Sequence, residues 1–373
     1  MPYSLQVSPE LFLSKYWQQK PLFLPGGIEG FVPPVSADEL AGAAMDADVD
    51  ARILESSAND WELFSGPFNE SDFRRDVPWT LLVQEIDALW KPAAELFELV
   101  SFLPAWRLAD VMMSYAVNEA SAGPHFDLYD VFIVQGEGKR LWRLGQACDA
   151  STPLRSHDRL RILTEFETQA EYEMKSGDVL YIPPGIAHWG VSQGESTSFS
   201  IGCRAPRMSD VLARTTDAIL QGIADDELFQ DPQRKPTVNR GEVDVTDLDR
   251  VRAQVLRYFE KLSPIALGEL LTEPTTGSEP LEQSPIMALS LATLSKHNVI
   301  GRSRPSALAW YGGEKELTVF ANGVALTAPS STQAVLERWC SGSGITVQEL
   351  SMERGTALLT DRLLSEEALT VYE

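Results

Sequence analysis

Residues 123–144 read GPHFDLYDVFIVQGEGKRLWRL. The runs 129–135 and 139–144 are rich in β-branched, aromatic and other apolar residues, and the connection between them holds two glycines. This pattern predicts two strands joined by a tight hairpin turn. His125 and Asp127, two side chains of the metal-ligating type, stand just before the first strand. The segment therefore predicts a β-rich unit that carries candidate ligands at its edge.

Further strand candidates surround this segment at 112–117, 179–182 and 198–203. Short β-rich runs separated by turn residues are typical of a sandwich or barrel. We therefore expect the chemistry of the protein to lie in this β-rich region.

The first hundred residues carry signals for helices. Ser8-Pro9 and Ser36 followed by Glu39 are N-capping patterns, and 79–99 has apolar residues at helical spacing. A short strand is expected at 21–25. The N-terminal part is thus predicted to be helical decoration.

The chain after residue 206 turns helical again, with apolar residues at three- and four-residue spacing between 208 and 262. The stretch 272–285 is rich in Pro, Gly, Ser and Thr, which predicts a linker or exposed loop. Asn322-Gly323 predicts a hairpin, and a helix is expected from Thr332.

Composition sets limits on the class of protein. The 373 residues are 44% hydrophobic and 23% charged, which is typical of a globular protein of two or three domains. No apolar run has the length of a membrane helix, and the first residues lack the pattern of a signal peptide. We expect a cytoplasmic protein without membrane contact. The cysteines, Cys148, Cys203 and Cys340, show no CxxC spacing, so neither a disulfide framework nor a zinc site is expected.

The charge is strongly acidic, at -23. Nucleic acid binding depends on clustered Lys and Arg, so this charge argues against it and makes a basic partner more plausible. From Leu270 onward, seven basic residues stand against twelve acidic ones. Direct DNA binding by the C-terminal part is therefore not expected.

The candidate metal ligands are His125, Asp127 and His188. On a strand, residues two positions apart point to one face, and His188 follows the predicted strand and turn of 177–185. Two imidazoles and one carboxylate on one side of an ion leave other positions open, as suits non-haem iron. The alternative interpretation is that these are core histidines that bind nothing.

Arg140 is the candidate anion-binding residue of the same pocket. If the strand 139–144 alternates, Arg140 shares its inner face with Trp142 and Leu144. A 2-oxoglutarate enzyme needs such a cation, because the distal carboxylate would otherwise be buried without a partner. Ser114, Ser198 and Ser200 on neighbouring strand candidates could add hydroxyl donors. The alternative is a solvated arginine.

These segments resemble a known family. Residues 123–132, 138–143 and 177–185, with His188, are similar to the Jumonji-C ribosomal oxygenases. The similarity is greatest to bacterial members that hydroxylate arginine at C3 in a basic protein of the large ribosomal subunit. Residues 118–122 depart from the glycine-rich run that the resemblance implies, which leaves substrate contacts there open.

The resemblance implies an α+β fold. Its parts are a Jumonji-C catalytic domain of the cupin type over 1–206, a helical dimerisation region over 207–271 and a winged-helix-like domain over 272–373. The catalytic domain is implied to be a double-stranded β-helix, or jelly roll.

The resemblance also implies the site and the activity. His125, Asp127 and His188 would hold Fe(II), and Arg140, Ser114 and Ser198 would hold 2-oxoglutarate, with O2 as the other cosubstrate. No catalytic residues are expected beyond these ligands. The expected protein is a homodimeric dioxygenase acting on a ribosomal protein.

Three other functions remain open at this stage. The chain could be a noncatalytic acidic protein that binds a basic ribosomal protein, although the intact set of ligands argues against this. It could oxidise a small molecule with 2-oxoglutarate, or be a cupin enzyme with another metal, which would leave Arg140 unexplained. Arginine and histidine are both possible targets.

Overall fold

The computed structural model describes residues 3–57, 60–157, 159–204, 206–273, 290–303, 306–353 and 355–372. These residues form two compact units that divide near residue 205. None of the helices in these ranges combines the length and apolar content needed to cross a bilayer.

The strands of the N-terminal unit form an eight-stranded and a three-stranded sheet in the described part of the chain. The larger sheet has the order β1-β9-β6-β11-β5-β4-β2-β3 and the smaller has β10-β7-β8. Their bounds are β1 (Leu22–Leu24), β2 (Ala51–Ser57), β3 (Asp60–Ser65), β4 (Trp79–Val83), β5 (Leu108–Ala116), β6 (Asp130–Gln135), β7 (Lys139–Ala147), β8 (Ala170–Lys175), β9 (Val179–Ile182), β10 (Ile186–Gln193) and β11 (Ser196–Cys203).

The helices of this unit are short. They are α1 (Pro9–Lys15), α2 (Ala37–Ala43), α3 (Ile86–Leu89) and α4 (Lys91–Ala94), with 3-10 turns at Glu70–Phe73, Glu95–Val100 and Ala105–Arg107. The two predicted N-caps are confirmed. Ser8 accepts a hydrogen bond from the backbone of Leu11, and Ser36 forms a capping box with Glu39.

The prediction that the N-terminal hundred residues are only helical decoration is wrong. Strands β2, β3 and β4 extend the larger sheet, and β4 pairs with both β2 and β5. The error came from 79–99, where a short apolar run was taken for a helix. Four of the five residues of β4 are buried, and periodicity alone cannot separate such a strand from a buried helix.

The central residues of β6 are all apolar because both faces of this strand are buried. Val131 and Ile133 pack into a core shared with the smaller sheet, whereas Phe132 and Val134 pack into the core on the opposite face. Side chains alternate faces along a strand, so a central strand covered on both sides needs apolar residues at every position. Each fully buried side chain of this size contributes about 1.5–3 kcal/mol.

The glycine-containing connection 135–138 does not close a hairpin, contrary to the sequence prediction. It carries the chain from β6 in the larger sheet to β7 in the smaller one. The turn after β9 makes the same change of sheet before β10. These two crossings set candidate site residues on both sheets.

The C-terminal unit begins with α5 (Met208–Gln221), α6 (Val245–Glu260) and α7 (Pro264–Thr272). The first two agree with the predicted helical spacing. Two three-stranded sheets and further helices follow in the described residues: β12 (Val299–Arg302), β13 (Leu308–Tyr311), β14 (Glu316–Ala321), β15 (Val324–Pro329), α8 (Gln333–Cys340), β16 (Ile345–Thr346), α9 (Val347–Met352), α10 (Thr356–Ser365) and β17 (Leu369–Tyr372).

The predicted hairpin at Asn322-Gly323 is confirmed, because it joins the paired strands β14 and β15. The predicted helix after Thr332 is also confirmed as α8. Of the predicted linker 272–285, the part from residue 274 onward lies outside the described residues.

Candidate metal centre and its pocket

His125, Asp127 and His188 come together in the N-terminal unit. One ligand atom from each lies within 4.8 Å of the other two. Asp127 Oδ2 is 3.5 Å from Nε2 of His188, and the two imidazole centroids are 4.3 Å apart. Two nitrogens and a carboxylate oxygen at such separations are a donor set that fits one transition-metal ion.

Backbone pairing sets the two histidines side by side. His125 and His188 form an isolated antiparallel bridge, with N–H to O=C distances of 3.1 and 2.8 Å. His188 lies inside β10, although the sequence had suggested a position beyond a strand. His125 and Asp127 stand just before β6, as the sequence predicted, and neither belongs to a regular strand.

Both imidazoles are held through Nδ1. His125 Nδ1 lies 2.8 Å from the carbonyl of Gly123, and His188 Nδ1 lies 3.0 Å from the carbonyl of Ile186. A carbonyl only accepts, so each Nδ1 carries the hydrogen, which leaves each Nε2 with a free lone pair. Fixing of the non-ligating nitrogen is the usual support of a metal-bound histidine.

His188 is buried, and this sets its charge state. Burial, together with the neighbouring His125, lowers the pKa of His188 to about 4, although the Asp127 carboxylate acts in the opposite direction. The ring is therefore neutral at neutral pH, which is the form that binds a metal.

Arg140 lies on β7 and is only 6% exposed. Its guanidinium donates hydrogen bonds to the hydroxyls of Ser114 at 3.0 Å, of Ser198 at 2.9 Å and of Ser196 at 3.2 Å. These partners are neutral, and no ion pair joins Arg140 to a carboxylate among the described residues. Burial lowers the pKa of Arg140 to about 10. An uncompensated buried cation is costly, so this site is suited to an anionic ligand.

Ser114 and Ser198 can add a donor to the same place. They face each other on the paired strands β5 and β11, and their hydroxyl oxygens are 2.9 Å apart. One hydroxyl donates to the other, and both accept from Arg140. One of the two hydroxyl hydrogens is left for a bound anion.

All six predicted site residues line one pocket, together with Ser200. Val131, Ile133 and Trp142 supply apolar wall between Arg140 and the histidines. The smaller sheet carries Arg140 and His188, and the larger sheet carries the two serines. The pocket therefore offers an anion site and a metal site within one partly apolar cavity.

The sequence analysis did not identify two further residues that bear on the pocket, Tyr129 and Asp110. Tyr129 lines the pocket, and burial and the nearby carboxylate of Asp127 raise the pKa of its hydroxyl. Asp110 lies on β5 on the same face as the pocket residue Met112, two positions away. Its charge also contributes to the raised pKa of Tyr129, which is a lining residue of the pocket.

Asp110 is a half-buried carboxylate that accepts a hydrogen bond from the backbone N–H of Glu85 at 3.4 Å. Burial, then the neighbouring Asp87, raises its pKa to about 6, and Arg204 offsets only part of this. Gly202 on β11 leaves room for it, because a Cβ there would lie 3.2 Å from Asp110 Oδ1. The sequence gives no local signal for the position of Asp110. Its neighbour Gly202 is 92 positions away in the chain and comes close only because β11 pairs with β5.

The comparisons with known proteins agree with this geometry. The JmjC domain family matches residues 95–211. The chain is 35% identical over 261 residues to the Ribosomal protein uL16 3-hydroxylase of Escherichia coli, covering 70% of each chain. It is 37% identical to a Probable ribosomal oxygenase of Haemophilus influenzae, covering 61% of this chain and 55% of that protein.

Solved structures extend the similarity to the whole length. The structure of YcfD, a ribosomal oxygenase from Escherichia coli, in complex with cobalt and 2-oxoglutarate has a TM-score of 0.78 at 28% identity and covers both chains fully. Its complex with cobalt and succinic acid has a TM-score of 0.79. The α/β architecture here is thus a JmjC cupin fold.

Proposed function

The chain belongs to the JmjC ribosomal oxygenases, and we propose that it is an iron(II)- and 2-oxoglutarate-dependent hydroxylase of an arginine side chain, at C3, in a basic protein of the large ribosomal subunit. The observation that carries this proposal is the buried Arg140, which has only neutral partners and shares a pocket with the three candidate metal ligands. The Escherichia coli relative is named as a hydroxylase of ribosomal protein uL16, and a similar solved structure contains cobalt and 2-oxoglutarate.

The residues present fit both groups. His125, Asp127 and His188 would hold the metal, and Arg140 with Ser114 and Ser198 would hold the distal carboxylate of the cosubstrate. When bound, iron and 2-oxoglutarate would supply the oxidising chemistry, in which one oxygen atom of O2 enters the C–H bond to give C–OH and the other enters the succinate that forms from 2-oxoglutarate with release of CO2.

The protein contributes orientation and exclusion of water. The Nδ1 hydrogen bonds of the two histidines fix their rings, and Tyr129 lines the same pocket near the carboxylate of Asp127. Arg140 anchors the far end of an anionic cosubstrate, so its near end is directed towards the triad. The apolar wall between them keeps water from this path.

The direct test is succinate formation by the iron-loaded protein with 2-oxoglutarate and a basic ribosomal-protein peptide, with mass spectrometry of the peptide. The expected result is one oxygen atom added to an arginine. Succinate without peptide oxidation would favour a small-molecule oxygenase. Absence of both in iron-bound protein would favour the noncatalytic binding function.

The carboxylate of Asp110 favours arginine over histidine as the target. A guanidinium that enters the pocket needs a negative partner, and the half-buried Asp110 offers one on the strand that also carries the pocket residues Met112 and Ser114. A neutral imidazole could not form an ion pair with that carboxylate. The acidic net charge of -23 would also attract a basic protein.

We expect Asp110→Asn to raise the KM for an arginine peptide about tenfold or more, because a charged hydrogen bond of this kind is worth about 1.5–3 kcal/mol. The metal affinity should not change. Peptide kinetics and cobalt titration measure the two quantities. A peptide with citrulline in place of arginine is the matched control, since its KM should be equal for the parent protein and the variant.

The same carboxylate predicts a pH dependence. With a pKa raised to about 6, Asp110 is charged above that pH and protonated below it. The kcat/KM for the arginine peptide should therefore fall as the pH is lowered through 6, and Asp110→Asn should flatten this limb. An unchanged limb in the variant would assign it to another group.

We also propose that the protein is a homodimer formed through α5 and α6. We further propose that the chain consists of a catalytic domain (1–206), a helical dimerisation region (207–271) and a winged-helix-like domain (272–373), and that the protein is cytoplasmic. No residue of α6 is buried. Leu248, Val251 and Val255 form an apolar stripe along this helix, and each of these side chains is about half exposed. An uncovered stripe of this kind marks a contact surface.

We expect the protein to have twice the chain mass of 41.2 kDa in solution and the Val251→Asp, Val255→Asp double variant to be monomeric. Two added charges would be buried without partners in the interface. Light scattering after gel filtration measures the mass. Arg257→Asp is the matched control, because it lies on the opposite side of α6. A monomeric parent protein would contradict the proposal.

A further inference from the structure

Ser121 connects the two chain segments that carry the histidine ligands. Its hydroxyl oxygen accepts a hydrogen bond from the backbone N–H of Gly123 at 2.9 Å and from Nε1 of Trp189 at 2.7 Å. Its side chain is buried and lines the pocket. Both lone pairs of the hydroxyl are therefore in use.

The first hydrogen bond leads to His125. Gly123 is the residue whose carbonyl accepts from Nδ1 of His125 at 2.8 Å. It has a φ of +81°, and a Cβ at this position would lie 2.8 Å from Trp61 and from Ile162. Gly123 is thus confined by the packing around it, and Ser121 holds its N–H. The orientation of the His125 ring depends on this carbonyl.

The second hydrogen bond leads to His188, whose chain neighbour on β10 is Trp189. The indole of Trp189 packs edge-on against Phe166, with centroids 5.8 Å apart, and lies under the guanidinium of Arg143 at 5.2 Å. The ring is thus fixed on two sides, and Ser121 accepts from its only polar atom.

We infer that Ser121 is a positioning residue that locks the Gly123 loop onto β10 and so fixes the relative orientation of His125 and His188. This inference rests on the proposed metal centre. The residues 118–122 depart from the glycine-rich run that the family resemblance implies, and the hydroxyl of Ser121 supplies a contact that a glycine there could not make.

Loss of the hydroxyl leaves two buried donors without an acceptor, and the loop is free to move relative to β10. Residues that orient metal ligands typically change metal affinity 10–100-fold when they are removed. We expect Ser121→Ala to weaken Co(II) binding about tenfold. It should also alter the visible absorption bands of bound Co(II), which report the ligand geometry.

The experiment is a Co(II) titration followed by absorption, with circular dichroism as a check of folding. Ser121→Thr keeps the hydroxyl and should restore the parent spectrum and affinity. Trp189→Phe removes one donor and should produce part of the effect of Ser121→Ala. The double variant should be no worse than Ser121→Ala alone, because the two residues act as one unit.

Trp61→Phe is the matched control. Trp61 also touches Gly123, but its Nε1 has no hydrogen-bond partner among the described residues. The control loosens the packing at Gly123 without breaking a hydrogen bond, so its affinity and spectrum should stay much closer to the parent than those of Ser121→Ala. An unchanged Co(II) spectrum and affinity in folded Ser121→Ala would overturn the inference and leave the metal centre standing. Absence of Co(II) binding by the parent protein would overturn the metal centre itself.

Discussion

His125→Ala is expected to abolish both succinate formation and peptide oxidation, with a loss of at least about a thousandfold, or about 4 kcal/mol of transition-state stabilisation. The substitution removes one of the three ligand atoms that lie within 4.8 Å of each other. Two ligands cannot fix the position of the ion or the directions of its open sites. Asp127→Asn should have a similar effect, because it removes the only negative charge of the triad.

The measurement is coupled product analysis by mass spectrometry, together with Co(II) binding. His297→Ala is the matched control, because His297 is an exposed histidine of the C-terminal unit. It should retain the parent activity. Full activity in folded His125→Ala would remove His125 from the metal site and with it the proposed function.

Arg140→Met is expected to weaken 2-oxoglutarate binding about a hundredfold or more while Co(II) binding is retained. A charged hydrogen-bonded pair in a buried site typically costs 2–5 kcal/mol when one partner is truncated. Methionine has a similar length but cannot pair with a carboxylate. Isothermal titration of the Co(II)-loaded protein with 2-oxoglutarate measures the loss.

The stability of the variant separates this role from a structural one. In the ligand-free protein, Arg140 is a buried cation with neutral partners, so Arg140→Met should be at least as stable as the parent protein. 2-Oxoglutarate at a hundred times its Kd should stabilise the parent by about 2.7 kcal/mol and the variant much less. Lys139→Met is the control, since Lys139 pairs with the exposed Glu173 on the other face of β7.

If Arg140→Met does not fold, the guanidinium is needed for folding as a hydrogen-bond donor to the serine hydroxyls around it. Arg140→Lys then tests the same point, because lysine keeps the charge without the planar, two-sided donor set. Binding of 2-oxoglutarate at the parent affinity by folded Arg140→Met would contradict the anion site, whereas parent affinity in Arg140→Lys would show that the charge alone is sufficient.

Local patterns predicted the parts of the fold that depend on local chemistry. The caps at Ser8 and Ser36, the strand 179–182 and the turn at Asn322-Gly323 follow from neighbouring residues alone. The strand β4 and the change of sheet at 135–138 could not be predicted from neighbouring residues, because strand pairing is decided by partners far away in the chain.

The sequence by itself determined which chemical groups the site contains. The three ligand side chains and Arg140 were predicted from residue type and spacing, whereas Ser114 and Ser198 were assigned mainly through the family resemblance. The family resemblance assigned the ligand for each group.

Only the tertiary structure decided which residues orient that set. Asp110 lies beside the pocket and Ser121 joins Gly123 to Trp189 through contacts across 68 positions of the chain. A serine in a loop or an aspartate on a strand has no distinguishing local signal, since its role depends on the hydrogen-bond partners and burial that distant strands provide.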